Sequence, residues 1–431
     1  MPERSMPPPE AFLPGRGLPL AYFGFAHLSL ALALGTLALR PDSAAGFFYQ
    51  PRTFALVHLV TLGFVSSAIL GALYVVAPLA FRLSLPVGRR DWWAFWLFAT
   101  GTLGMASHFW IDRPLGMLWA APLPGLSLAF VSGRVALGLR AARVPWGPKL
   151  HLLLAALNVA LAAALGFALG LNKVRPFAEI APFAGVLAHA HLAAVGWGAM
   201  TVMGAGLRLF PMLLPAAMPA GRATAASAVV TQLGLLGLVG ETLASGQASP
   251  AWSLVVAVGI GLFLAQVVFM LRRPRPAPAG RARPDPALGH VALALGCLLA
   301  CLALGPWLSF AAADERSLAL AKLYGVLGLV GFLTQLVVGV AIRILPTALW
   351  LRSFAEGGYR AQPPPVEELR DRKAGALTLA LWILGLPPLA YGLFADIAPA
   401  VRPGAGLLLF ATLVNAAHLA LVARRARQLE R

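Results

Sequence analysis

Along this chain, long apolar stretches alternate with short breaks of charged, Pro and Gly residues. Cut at those breaks, the stretches predict twelve helices over 17–39, 53–81, 92–110, 116–139, 149–171, 181–210, 223–244, 250–271, 287–311, 317–346, 374–395 and 403–423. At 1.5 Å per residue, about 20 residues cross the hydrocarbon core, so each stretch has spanning length. The fold class predicted is an all-α polytopic membrane protein of about twelve transmembrane helices. The prefix 1–16, Pro-rich and carrying both charge signs, reads as a disordered N-terminal tail. Residues 17–427 read as a single membrane domain. The first helix is too long for a signal h-region and reads as retained.

Composition agrees: 59% of the 431 residues are apolar and 12% charged, against about 25% charged in a soluble domain. A disordered chain and a β-barrel, whose strands would alternate in polarity, are both excluded. The net charge of +18 points to nucleic acid only while its distribution is ignored. With an even number of spans, 26 of the Lys and Arg residues fall on the side holding both termini and 8 on the other. That places both termini in the cytoplasm of a bacterial-type inner membrane, with membrane lipids, anionic headgroups above all, as partners and no nucleic acid. Cys297 and Cys301 lie four apart in one apolar run, read as one helix face, and no CxxCH is present for covalent haem.

A repeat is visible inside the pattern. Gly63, Gly196 and Gly331 are each followed by an aromatic, namely Phe64, Trp197 and Phe332. Eight residues on lie Gly71, Gly204 and Gly339, and seven beyond those Pro78, Pro211 and Pro346. The offsets are 133 and 135 residues, four helices each. Three four-helix repeats follow, about 17–148, 149–283 and 284–427, in a pseudo-threefold bundle. The prolines read as stop signals, and Arg208 and Arg343, three residues earlier, as interface anchors.

The eight histidines separate on this topology. His151, His290 and His418 fall at cytoplasmic helix ends and read as snorkelling or headgroup-level groups. His27, mid-helix, reads as a helix–helix hydrogen-bond partner. His58, about 8 Å deep, and His189 and His191, about 12–15 Å deep, share the outer half of the bilayer with His108, a candidate metal cluster. His189 and His191 are two apart, about 200° of helical rotation, so they face opposite sides and serve two sites, or one ligates while the other hydrogen-bonds. Imidazole suits haem iron and copper, and opposed histidines on neighbouring helices accept a flat macrocycle. Trp197 and Phe64 offer aromatic walls. Lys173 and Arg175 in the adjoining loop could pair with propionates. Glu179 and Asp112 could orient an imidazole through its second nitrogen.

The run His189-Ala190-His191-Leu192-Ala193-Ala194-Val195-Gly196-Trp197 resembles the haem-binding helix of the cbb-type branch of haem–copper oxidase subunit I, as does the twelve-helix, three-unit plan. The resemblance implies that His58 and His191 sandwich a b-type haem and that His189 serves a second haem if one is present, with copper a further cofactor. The chain departs from the oxidases in carrying the pair on helix six; helix ten has Tyr324 and Val326 at the matching positions, and no other helix supplies the copper histidines. The NnrS family of twelve-helix haem- and copper-containing membrane proteins, linked to nitric oxide, is similar in size and histidine number. The expected function is haem binding, in electron transfer or nitric oxide and oxygen handling, partnered by an electron-donor cytochrome or respiratory subunits; if the chain is an enzyme, it is an oxidoreductase. The competing readings are a transporter or channel for a metal ion or small solute, and a non-catalytic assembly subunit of a respiratory complex.

Overall fold

A computed structural model describes residues 12–276, 285–357 and 364–429. Their long helices are α1 (Gly17–Leu39), α2 (Pro51–Phe81), α3 (Arg89–Trp110), α4 (Pro114–Ala141), α5 (Trp146–Val174), α6 (Pro182–Leu213), α7 (Arg222–Ser245), α8 (Pro250–Arg272), α9 (Pro286–Phe310), α10 (Glu315–Glu356), α11 (Arg372–Phe394) and α12 (Ala398–Gln428). Eleven are long and apolar enough to cross a membrane. The exception, α3, has 22 residues but opens on Arg89, Arg90 and Asp91 and carries four tryptophans. The chain is a polytopic helical membrane protein. In such a protein helices are the economical solution, because lipid offers backbone groups no partner.

Nine helices form a ring in which neighbours touch in the order α1, α3, α4, α5, α7, α8, α9, α11, α12 and back to α1. The other three, α2, α6 and α10, lie inside it and meet one another pairwise. The first and last described helices bring Arg16 and Ala426 to one end, the near end. There Arg16 donates to Ser353 Oγ at 2.7 Å, and Ser353 donates to Ala426 O at 2.8 Å. At the far end, Lys322 pairs with Asp396, which also accepts from Gly46 N–H at 2.8 Å.

The inner helices approach their partners through glycine. A Cβ on Gly63, Gly196 or Gly331 would lie 2.5 Å from Ser29 Cβ, 2.7 Å from Asn158 Cβ or 2.7 Å from Cys297 Sγ. One on Gly71, Gly204 or Gly339 would lie 2.9, 2.8 or 2.5 Å from the Cβ of Tyr22, His151 or His290. In α1, α5 and α9 the paired residues stand seven apart each time. Small residues at contacts of this kind are how helices pack closely in lipid.

Each inner helix also contains one widened, π-helical stretch: Leu59–Ser66, Leu192–Ala199 and Leu327–Thr334. These begin at the same 133- and 135-residue offsets as the glycines. Asn158 Nδ2 donates to Gly196 O at 3.2 Å and Thr334 Oγ1 to Leu329 O at 2.7 Å, so polar side chains serve carbonyls of the widened turns.

Several sequence expectations change here. Pro78, Pro211 and Pro346 lie inside their helices, and α10 runs ten residues past Pro346 to Glu356, burying Leu349 and Ser353. Tertiary burial outweighs the lost backbone bond. Arg208 turns inward to Ala80 O at 3.1 and 3.0 Å, and Arg343 pairs with Asp285, so both clamp helices rather than anchor at a lipid interface. Of the expected disordered prefix, residues 1–11 lie outside the described residues, and Arg16 is tied down.

His151, His290 and His418 are buried rather than snorkelling. His151 bonds Gly147 O and Ser227 Oγ, both at 2.9 Å. His418 Nε2 accepts from Asp371 N–H at 3.0 Å, and His290 meets the Trp382 ring edge-on at 6.3 Å. Their faces, not their depths, decide this: each points at a ring neighbour or an inner helix. His27 is the interhelical partner expected, its Nδ1 donating to Phe23 O at 2.7 Å and its Nε2 accepting from Asn415 Nδ2 at 3.0 Å.

Gly63→Ala should cost about 1–3 kcal/mol by forcing α2 off Ser29, whereas Gly24→Ala, with open space at its Cβ, should not destabilise; thermal unfolding in detergent compares them. Ala374 and Lys373 N–H groups hold the Asp371 carboxyl below its ordinary value. Its contribution to stability is therefore complete above about pH 4 and lost as pH falls through the lowered folded-state value. An acid-unfolding series on Asp371→Ala should show a shallower loss below pH 4 than the parent protein.

Candidate functional site

The histidine pair sits where α2 and α6 approach each other in the far half of the bundle. The rings of His58 and His189 have centroids 6.3 Å apart and planes 22° apart. His58 Nδ1 donates to Phe54 O at 2.7 Å, one turn back along α2. His189 Nδ1 donates across to Ala162 O of α5 at 3.0 Å, and its ring rests on Gly166 of the same helix. A carbonyl can only accept, so each Nδ1 carries the proton and each neutral ring presents an Nε2 lone pair. This is the arrangement by which proteins orient a ligating imidazole.

His191 faces the other side of α6, as its spacing predicts. Its Nδ1 donates to Leu187 O at 2.8 Å and its ring lies 6.2 Å from that of Tyr324 on α10, planes again 22° apart. His108 is held by Gly104 O at 2.7 Å and packs on Gly116 of α4. The expected four-imidazole cluster is thus resolved into one His–His pair, one His–Tyr pair and a separate His108. Among the described residues, no group of three or more His, Cys, Asp or Glu converges as for a metal ion.

The remaining candidates divide similarly. Trp197 is buried between the inner helices and donates Nε1–H to Ser66 Oγ at 3.1 Å; Phe64 is buried edge-on to His27 at 5.8 Å. Arg175 and Glu179 are exposed in the α5–α6 loop, and Lys173 pairs with Asp112 at 3.8 Å. Main-chain carbonyls, rather than Glu179 or Asp112, take the second nitrogen of the imidazoles.

Two features lay outside the sequence reading. Phe109 stacks on His58 at 5.0 Å, and Phe54, Tyr49 and Phe183 extend the aromatic layer over the far end. Only the dense aromatics of 47–54 hinted at it. Buried Asn158 and Gln232 exchange amide hydrogen bonds at 2.8 and 2.9 Å, tying α5 to α7 beside the widened turn of α6.

Space is distributed unevenly. Although α10 is inside the ring, no residue of its Glu315–Val326 stretch is buried, while its near half is. The outward halves of α2 and α6 are also less buried than their near halves. The inner helices are therefore less closely covered at the level of the ring pairs than in the near half. In the near half the inner helices border an apolar cavity of about 80 Å³ lined by groups such as Val76, Phe210 and Val340, and a larger cavity of about 790 Å³ lies between α1 and α12, lined by His27, Thr412 and Arg427 among others.

No protein-family model matches the chain, and no curated protein matches it.

Asn158→Leu should destabilise the protein by about 1–3 kcal/mol, since Gln232 and the Gly196 carbonyl lose their buried partner. Replacing both, as Asn158→Leu with Gln232→Leu, should recover part of that loss in the same unfolding assay.

Proposed function

We propose that this chain is an integral-membrane haem protein in which His58 and His189 hold one b-type haem, acting in electron transfer or in the handling of nitric oxide or oxygen. The observation that carries the reading is the spacing and orientation of that pair. With metal–nitrogen bonds of about 2.0–2.1 Å, two imidazoles sharing one ion through Nε2 keep their centres about 6 Å apart, and here they stand 6.3 Å apart. Both Nδ1 atoms are already committed to carbonyls. The donor set and the spacing fit the group.

When bound, the haem would supply a one-electron store and a metal able to take a gas ligand. The chain's own part is positioning. Phe54 and Ala162 carbonyls fix the ring faces, Gly166 leaves room for His189, and the aromatic layer keeps bulk water from the far side. The pairing differs from the His58–His191 sandwich that the oxidase resemblance implies, because His191 lies across α6 from His58.

The threefold plan belongs to the same proposal. Six glycine contacts, three widened turns and the two ring pairs recur at matching positions, which favours three four-helix units of twelve spans. The excess of Lys and Arg at the near end favours a cytoplasmic location for both termini in a bacterial-type inner membrane, with anionic lipids and an electron-donor cytochrome or respiratory subunit as partners.

The detergent-purified chain from haem-replete cells should give a reduced-minus-oxidised b-type spectrum and a positive pyridine haemochrome assay. His58→Ala and His189→Ala should each remove its six-coordinate component, and His191→Ala should leave that component in place. A colourless folded protein would sink the proposal; dependence on His191 but not His189 would restore the pairing the resemblance implies.

A further inference from the structure

We infer that the groove between α1 and α12 at the near end holds one anionic phospholipid of the adjoining leaflet, its acyl chain laid along the two helices and its phosphate held by Arg424 and Arg427. The site gives the anionic lipids of the proposed function a defined place, and it stands or falls independently of the haem. The groove measures about 790 Å³, a volume that takes a whole small molecule. Its buried lining includes Phe23, His27, Thr412 and Leu345 of α10, whereas Gly24, Leu28, Leu413 and Ala420 at its margin are exposed. The groove therefore opens sideways, toward the membrane. A Cβ on Gly24 would meet nothing within 4 Å.

Polarity divides along its length. From Arg424 to Thr412 the groove follows twelve residues of α12, about 18 Å at 1.5 Å per residue, close to the roughly 15 Å of hydrocarbon in one leaflet. At the deep end the polar side chains are closed on the protein. His27 Nδ1 donates to Phe23 O at 2.7 Å, its Nε2 accepts from Asn415 Nδ2 at 3.0 Å, and Thr412 Oγ1 donates to Leu408 O at 2.8 Å. A polar group entering there would find no partner, and a hydrocarbon chain needs none.

The mouth is the opposite. Arg424, Arg427 and Gln428 line it, and the two arginines, three residues apart, share a face of α12. Among the described residues neither arginine has an ion-pair or hydrogen-bond partner, whereas Arg425 between them donates to the carbonyls of Glu368 and Leu369 at 3.3 and 3.4 Å. Two unpaired guanidiniums above an apolar trough complement an amphiphile with a phosphate head and a long chain, since guanidinium binds phosphate through paired hydrogen bonds and basic pockets between helices at headgroup level recognise anionic lipids. The groove also lies where helices from opposite ends of the chain close the ring. The acyl chain fills the trough that Gly24 and Ala420 leave open and seals that junction.

Native mass spectrometry of the detergent-purified full chain reads lipid retention directly, whatever the haem content. The chain should carry one phosphatidylglycerol. After delipidation it should take up phosphatidylglycerol from mixed micelles in preference to phosphatidylcholine, with a matching rise in unfolding temperature. Arg424→Gln combined with Arg427→Gln, both at exposed positions, should weaken phosphatidylglycerol uptake about thirtyfold, the effect of two surface arginines on an anionic lipid, and leave phosphatidylcholine uptake unchanged. Gly24→Leu combined with Ala420→Leu, which fills the trough, should abolish the retained lipid; where that variant does not fold, the arginine variant decides alone. Equal uptake of the two lipids, unchanged phosphatidylglycerol uptake in the arginine variant, or retention by a folded trough-filled variant overturns the assignment. So does a rise in unfolding temperature with inorganic phosphate equal to that with the lipid. A colourless protein that retains the lipid contradicts the haem reading and leaves this site standing.

Discussion

Close approach of backbones at six glycines holds this bundle together and decides where everything else can be. Three inner helices are drawn against α1, α5 and α9 at Gly63, Gly71, Gly196, Gly204, Gly331 and Gly339. In lipid there is no hydrophobic gain from bringing two apolar helices together, so fit and interhelical hydrogen bonds must supply the attraction. The contacts cluster in the middle and near half. The far half is correspondingly loose around the inner helices, and that is where the ring pairs lie. A widened turn just after His58 and just after His191 separates the tightly packed half of each helix from the half that carries imidazole. Such turns recur at functional sites because they re-aim side chains without ending a helix.

The polar groups inside the bundle are of two kinds. Some are structural and close on each other, as in the Asn158–Gln232 pair or the Trp197–Ser66 bond. The candidate ligands instead spend one nitrogen on the scaffold and leave the other available. That division of labour, rather than the presence of histidine, separates His58, His189 and His191 from His27 and His151, which use both nitrogens within the protein.

Much of the architecture was legible in the sequence, since apolar runs of spanning length and short polar breaks follow directly from bilayer thickness. The glycine register pointed to the helices that prove to be central. Helix ends at proline were misjudged because burial of Leu349 and Ser353 carries α10 past Pro346. The roles of His151, His290 and His418 were misjudged because position along a helix gives depth but not facing. The opposite facing of His189 and His191 was readable from their spacing alone. That His189 rather than His191 meets His58 was not, because it depends on the rotation of α6 set by its contacts with α5. Tyr324 lies 135 residues after His189, and its pairing with His191 depends on how α10 packs against α6.

Electron paramagnetic resonance of the oxidised full chain tests the central claim most directly, that two imidazoles with nearly parallel planes share one iron. The account predicts a low-spin ferric signal of the rhombic type given by near-parallel axial rings, absent from His58→Ala and from His189→Ala. A low-spin signal of the strongly anisotropic type given by perpendicular rings, or a high-spin signal alone, would contradict it.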